Sequence, residues 1–147
     1  METLVKSDAL VDTNVLLYAT DAQAPQHVAS LALLNRAVSQ QIRLFLTSQI
    51  IFEFVGVATN QRQVARPIEA FQAWSAVAKF RQVCTLLDPP ADFVDRVSIL
   101  FPVVQPKGAE IFDLAIGVTA LAAGILDIYS YDSSVFIRVP GMRVITP

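Results

Sequence analysis

Apolar positions in this chain alternate between two periods. Ala9-Leu-Val11, Arg43-Leu-Phe-Leu-Thr47, Val83-Cys-Thr-Leu-Leu87 and Leu126 to Tyr131 are short apolar runs closed by turn-forming residues, the pattern of brief buried strands. Between them the spacing turns helical. Asn14 is the expected cap of a helix over 15–19, and Ser48 that of a helix reaching about Thr59. Val28, Leu31, Leu34 and Val38 mark an amphipathic helix over 26–40. Pro67 suits the first position of another, whose stripe Ile68, Phe71, Trp74, Val77 and Ala78 is expected to face the core. Phe93, Val97 and Leu100 point inward from a helix over 91–100, followed by a loop over 102–108. The most apolar helix covers 109–123 and ends at Gly124, and Arg143 to Thr146 forms a last edge strand. Strands alternating with helices predict a three-layer α/β/α sandwich around a mainly parallel sheet of four to five strands. At 147 residues the chain suits a single domain.

Composition changes this picture in one respect. With 54% hydrophobic and only 16% charged residues, the chain has more apolar surface than its own core requires, so a partner face is expected. Its longest apolar stretch, Leu114 to Leu126, falls short of the roughly 20 residues that span a bilayer. No basic segment followed by an apolar run opens the sequence, which points to a soluble cytoplasmic protein with no membrane association. The lone Cys84 reads as a small core residue, and the lone His27 as a surface residue near a helix start. Neither supplies a zinc site. The net charge of −2 provides no global field for nucleic acid, which would have to be held by metal ions and a few cations, Arg62 and Arg66 first among them.

Four acids stand out by their surroundings. Asp12 (Ala9-Leu-Val-Asp-Thr-Asn-Val-Leu-Leu17), Glu53 (Ile50-Ile-Phe-Glu-Phe-Val55), Asp113 (Ile111-Phe-Asp-Leu-Ala-Ile116) and Asp132 (Ile128-Tyr-Ser-Tyr-Asp132) all lie in apolar stretches. A carboxylate taken out of water must neutralise, meet a cation or reach a wet cleft. Asp12 and Asp132 follow strands one and four, and ligands of open α/β sheets bind outside the carboxyl ends of the strands. Glu53 and Asp113 lie about one turn into flanking helices, so topology can gather all four. Gly117, Ala120 and Gly124 share a face that would let the Asp113 helix approach the sheet closely. Oxygen ligands without histidine or cysteine select Mg2+ or Mn2+. Such a cluster with no evident nucleophile suits phosphodiester hydrolysis leaving 5′-phosphate and 3′-hydroxyl ends.

Val11-Asp-Thr-Asn-Val15, Ser48-Gln-Ile-Ile-Phe-Glu53, Glu110-Ile-Phe-Asp-Leu-Ala-Ile116 and Ser130-Tyr-Asp-Ser-Ser-Val-Phe136, in that order, resemble the PIN-domain nucleases, in particular the VapC-type toxins of toxin–antitoxin pairs. The resemblance runs nearly the whole chain, to Pro140-Gly-Met-Arg-Val-Ile-Thr-Pro147. It implies a Mg2+- or Mn2+-dependent endoribonuclease, an RNA substrate, an inhibiting antitoxin and a homodimer. It also implies that Asp12, Glu53, Asp113 and Asp132 bind metal and catalyse, with Asn14 and Ser130 positioning water or phosphate. Ser130 replaces the family's usual Thr, and Ser133-Ser134 stand where a further acid is often found.

Two other readings compete. A phosphoaspartate enzyme using Asp12 would want a second aspartate where Asn14 stands, and a receiver domain would want an acceptor where Asp88 precedes Pro89-Pro90. A catalytically silent PIN-like binding module would have no need of all four acids. For single residues, Asp132 also suits an Asx turn, and Glu110 suits the positive end of a helix. The remaining arginines read as dispersed solubilising charges.

Overall fold

The computed structural model describes residues 6–147, and each predicted strand is present in it. The expectation of no export signal falls largely on residues outside that range. The elements run β1 (Ser7–Val11), α1 (Thr13–Thr20), α2 (His27–Val38), β2 (Ile42–Thr47), α3 (Ser48–Ala58), α4 (Ala70–Val83), β3 (Cys84–Leu87), α5 (Phe93–Val104), α6 (Glu110–Ala122), β4 (Asp127–Tyr129) and β5 (Arg143–Ile145), with a 3-10 turn at Phe136–Arg138.

The five strands form one sheet in the order β3-β2-β1-β4-β5, and every pairing is parallel. The chain moves outward from β1 through β2 to β3, then returns to place β4 on the other side of β1. Right-handed crossovers therefore put α1–α4 on one face and α5–α6 on the other. Packing follows that division for the most part, since α1 meets α2 and α3, α3 meets α4, and α5 meets α6, while α3 also touches α6 across it. The reversal leaves a crevice at the carboxyl ends of β1 and β4, where open α/β sheets hold their ligands. Leu10, Leu44, Leu46 and Ile128 lie inside the sheet, sealed by Leu16, Ile50 and Phe54 on one face and Leu114 and Ile116 on the other.

Several local expectations are corrected. Helix α1 is capped by Asp12, whose side chain accepts from the Thr13 N–H, and α3 by Thr47, whose hydroxyl accepts from the Ile50 N–H. Both helices begin directly at a strand end, so the cap falls one or two residues earlier than Asn14 and Ser48. Helix α4 starts at Ala70 behind a capping box of Glu69 and Gln72, leaving Pro67 outside the helix. It buries Ala73, Val77 and Phe80, while Phe71 (70%) and Trp74 (56%) stay exposed. The expected stripe and the buried one share Val77 and diverge on both sides of it, for Ala78 is exposed and Phe80 buried. Helix α5 continues through Pro102 to Val104 rather than ending at Leu100. In the last turn a proline removes a single backbone bond, which the helix tolerates. On the small-residue face of α6, Gly117 admits the C-terminal segment rather than the sheet: a Cβ on it would lie 3.1 Å from Met142 Sδ. Gly124 lies past the helix end with φ of 76°.

Candidate functional site

Parallel register builds the centre of the site. Val11 pairs with Tyr129, which sets Asp12 beside Ser130 one residue past the end of both strands. The Asp12 N–H continues the ladder to the Tyr129 carbonyl (3.0 Å), and the Ser130 N–H to that of Ile145 (3.0 Å). The side chains then close on each other. Ser130 Oγ donates to Asp12 Oδ2 at 2.7 Å, while the Thr13 N–H donates to Oδ1 at 2.8 Å. Asn14 Nδ2 donates to Ser130 Oγ (3.1 Å) and more weakly to Asp12 Oδ2 (3.4 Å), and its Oδ1 accepts from the Tyr131 N–H (3.2 Å). The Asp132 N–H donates to Ser130 Oγ at 3.0 Å. Asn14 and Ser130 thus have their polar groups engaged in fixing Asp12 to the β4 rim.

The other acids reach this centre from three directions. Glu53, on α3, is exposed despite its apolar neighbours, because Phe52 beside it is exposed too. Its Oε2 accepts from the Thr13 hydroxyl at 3.1 Å, which ties α3 to the start of α1. Asp113 is half-buried on α6, in the opposite helical layer, and α3 and α6 meet across the site. Asp132 is exposed and forms an Asx turn, with Oδ1 accepting from the Ser134 N–H at 3.0 Å. The apolar sequence around Glu53 and Asp132 therefore does not translate into burial. A helix and a turn direct successive side chains to different sides, and these acids point outward.

Electrostatics shows that the four acids share a field. Burial pushes the Asp12 carboxyl up to about 6, against the hydrogen bonds from Ser130 and Thr13, with Glu53 and Asp132 adding repulsion. Asp113 is pushed up to about 7, by burial first and then by the charges of Asp12, Glu53, Asp132 and Glu110. Asp132 lies below its usual range because Ser134 hydrogen-bonds its ionised form. Among the described residues no lysine or arginine hydrogen-bonds Asp12, Glu53 or Asp113. Nor do any three acids, histidines or cysteines among them close around a common point tightly enough to enclose an ion. The donor set is nonetheless all oxygen, anionic and short of positive charge, which fits a hard divalent cation.

Other predicted residues fall elsewhere. Arg66 is bound to Asp21 by a two-pronged ion pair (2.6 Å at the closest), while Arg62 is exposed. Arg66 lines a groove of about 550 Å3 that runs from Asn14 between α1 and α3. Cys84 is buried, its thiol pushed up to about 12 by burial, as expected of an inert core residue. One residue of the site has no prominence of its own in the sequence: Thr13, which holds Glu53, and for it the place between Asp12 and Asn14 is a usable signal.

Comparison with known proteins matches this arrangement. The family profile described as PIN domain matches residues 9–142. Ribonuclease VapC43 of Mycobacterium tuberculosis and the VapC ribonuclease of Mycobacterium bovis are each 36% identical over 67 residues, a stretch covering 46% of this chain and 46% of theirs. Among solved structures, VapBC2 of Rickettsia felis bound to a promoter DNA fragment aligns with TM-score 0.69 and 18% identity over 95% of this chain and 98% of that one. The Sarcin-Ricin loop cleaving toxin VapC20 of M. tuberculosis aligns with TM-score 0.68 and 15% identity over 96% and 100%. A parallel sheet of this order, with an acidic crevice between β1 and β4 and a profile match across nearly the whole chain, places the protein in the PIN domain family.

Proposed function

We propose that this chain is a Mg2+- or Mn2+-dependent endoribonuclease, the toxin of a toxin–antitoxin pair, acting in the cytoplasm as a single nuclease domain over residues 1–147. The observation that carries it is the acidic crevice itself, two carboxyls raised first by burial and then by neighbouring acids, with no cation hydrogen-bonded to them among the described residues. Asp12, Glu53, Asp113 and Asp132 are the residues that would hold the ion. A bound divalent ion supplies an activated water and charge stabilisation at the phosphate.

The chain's own residues prepare the place. Ser130, Asn14 and the Thr13 N–H orient Asp12 so that its carboxylate presents a fixed edge to the crevice. Thr13 restrains Glu53 from the facing helix. These bonds hold the acids in place before substrate arrives, which lowers the reorganisation a reaction there requires. Asn14 and Ser130 then act chiefly by positioning Asp12.

RNA as substrate and an antitoxin as inhibitor are supported by likeness to proteins described as VapC ribonucleases and to VapBC complexes. Exposed apolar side chains such as Phe71, Trp74, Ile99 and Val103 support partner surfaces for the antitoxin and for a homodimer. Among the described residues no helix is long and apolar enough to cross a membrane.

The test is cleavage of total RNA by the purified, antitoxin-free protein with Mg2+ or Mn2+. The expected result is cutting that chelator abolishes and that Asp12→Asn reduces by at least 100-fold, about 3 kcal/mol of barrier. Equal inertness of wild type and Asp12→Asn would leave a binding module instead.

A further inference from the structure

The geometry points to Arg138 as a positioning residue for the half of the site that carries Asp113 and Asp132, a role that rests on the reading of those acids as metal ligands. Arg138 closes the 3-10 turn after β4, and its guanidinium makes three bonds to three segments. Nη2 donates to Glu110 Oε2 at 2.6 Å, Nη1 to the Val104 carbonyl at 2.8 Å and Nε to the Ser134 carbonyl at 3.1 Å.

Each contact leads to an acid or braces the segment that bears one. Glu110 opens α6 one turn before Asp113, and its second oxygen accepts from the Lys107 N–H at 2.9 Å, so both ends of this carboxylate are fixed. Ser134 is held on both sides, its carbonyl by Arg138 and its N–H by Asp132 Oδ1. Val104 ends α5, and its carbonyl would otherwise lack a partner within the helix. One planar side chain therefore bolts together the end of α5, the start of α6 and the Asp132 turn, segments that lie outside the strand ladders.

A simple ion pair does not account for this. Partly exposed pairs contribute about 0–1 kcal/mol and have no need of two backbone carbonyls in a fixed fan. The guanidinium can serve three acceptors in one plane; an ammonium at the same place cannot keep that geometry. What the arrangement fixes is the separation of Asp113 from Asp132. Partners one step behind metal ligands typically change affinity by about 10–100-fold when removed.

The experiment is Mn2+ titration of the full chain, without RNA, followed by the electron paramagnetic resonance of free Mn2+. Unfolding midpoints and amide hydrogen exchange are measured on the same samples. Arg138→Met is expected to weaken Mn2+ binding by about tenfold, with Arg138→Lys recovering little of it. Glu110→Gln, which cuts the same link from the other side, should weaken binding in the same direction, and it serves if Arg138→Met does not fold. Arg96→Met, which breaks an ion pair with Asp92 on the surface of α5, should leave Mn2+ binding unchanged. A purely structural role would lower the unfolding midpoint and leave the affinity of the folded protein within twofold, and that result overturns the proposal. If wild type itself takes up no Mn2+, the metal reading fails. Positioning then stands or falls on whether Arg138→Met speeds exchange of the Ser134 and Asp113 amides at least tenfold.

Discussion

Asp12 is nearly buried, and its carboxyl is raised from 3.8 to about 6 by that burial. The folded state thus binds a proton that the unfolded chain has already released between those two values. Stability supported by the protonated form is fully present below about pH 4 and is lost as pH rises through about 6. For Asp12 alone the loss by about pH 8 is of order 3 kcal/mol, and Asp113, raised to about 7, adds to it in the same direction. Metal-free protein should therefore have a higher urea midpoint at pH 5 than at pH 8, and Asp12→Asn should flatten that difference. A midpoint rising with pH in chelator contradicts the assignment. If these acids hold the metal as proposed, Mn2+ would compete with the same protons, and its stabilising effect should be larger at pH 8 than at pH 5. Ser130 acts on the same balance: its 2.7 Å bond favours the ionised form, so Ser130→Ala should move the Asp12 titration above about 6 when followed by carboxyl carbon resonance.

Among the elements, α3 and α4 show what hydrophobic patterning conveys and what it omits. Thr47→Ala removes the acceptor for the Ile50 N–H and should cost about 1 kcal/mol in chemical denaturation, with Thr47→Ser largely preserving stability. On α4, Phe80 packs edge-on against Phe54 with centroids 5.1 Å apart, so Phe80→Ala should cost about 3–5 kcal/mol. Trp74→Ala, on the same helix, should fall within about 0.5 kcal/mol of wild type. Equal costs for the two substitutions would mean that α4 is rotated about its axis so that Trp74 also meets the core. From sequence these two aromatics look alike, because apolar spacing identifies a helix and not which of two overlapping stripes meets the sheet. The strands and their order of appearance are legible for a firmer reason. Buried parallel strands must be short apolar runs, and few other elements look like them. Cap positions differ by one or two residues where a helix starts without a loop, since Asp12 and Thr47 serve strand end and helix start together.

At the scale of the whole molecule, the sheet treats its two rims differently. Toward the amino ends, Arg43 pairs with Asp8 and Arg143 with Asp127, each directly across a strand pair. Toward the carboxyl ends, Asp12, Glu53 and Asp113 have no such cations among the described residues. Sequence could locate these acids because apolar neighbours advertise a carboxylate; it could not rank their burial, which depends on helix rotation and turn geometry fixed only by the assembled fold. The same rim asymmetry bears on RNA. Arg43, Arg66, Arg96, Arg138 and Arg143 are held by acids, and net charge is −2, so the chain has no net positive field to gather a phosphate chain. Binding of an uncleavable RNA in chelator should consequently be weak and fall only gently with salt, with a log–log slope of about −1 to −2, since each phosphate neutralised contributes about −0.7 to −0.9. Adding Mn2+ should strengthen it through the acidic rim, and Asp12→Asn should blunt that gain. A slope steeper than about −5 in chelator would mean that several phosphates meet arginines or lysines directly. Recruitment would then belong to a basic surface, and the acidic crevice would serve the cleavage step alone.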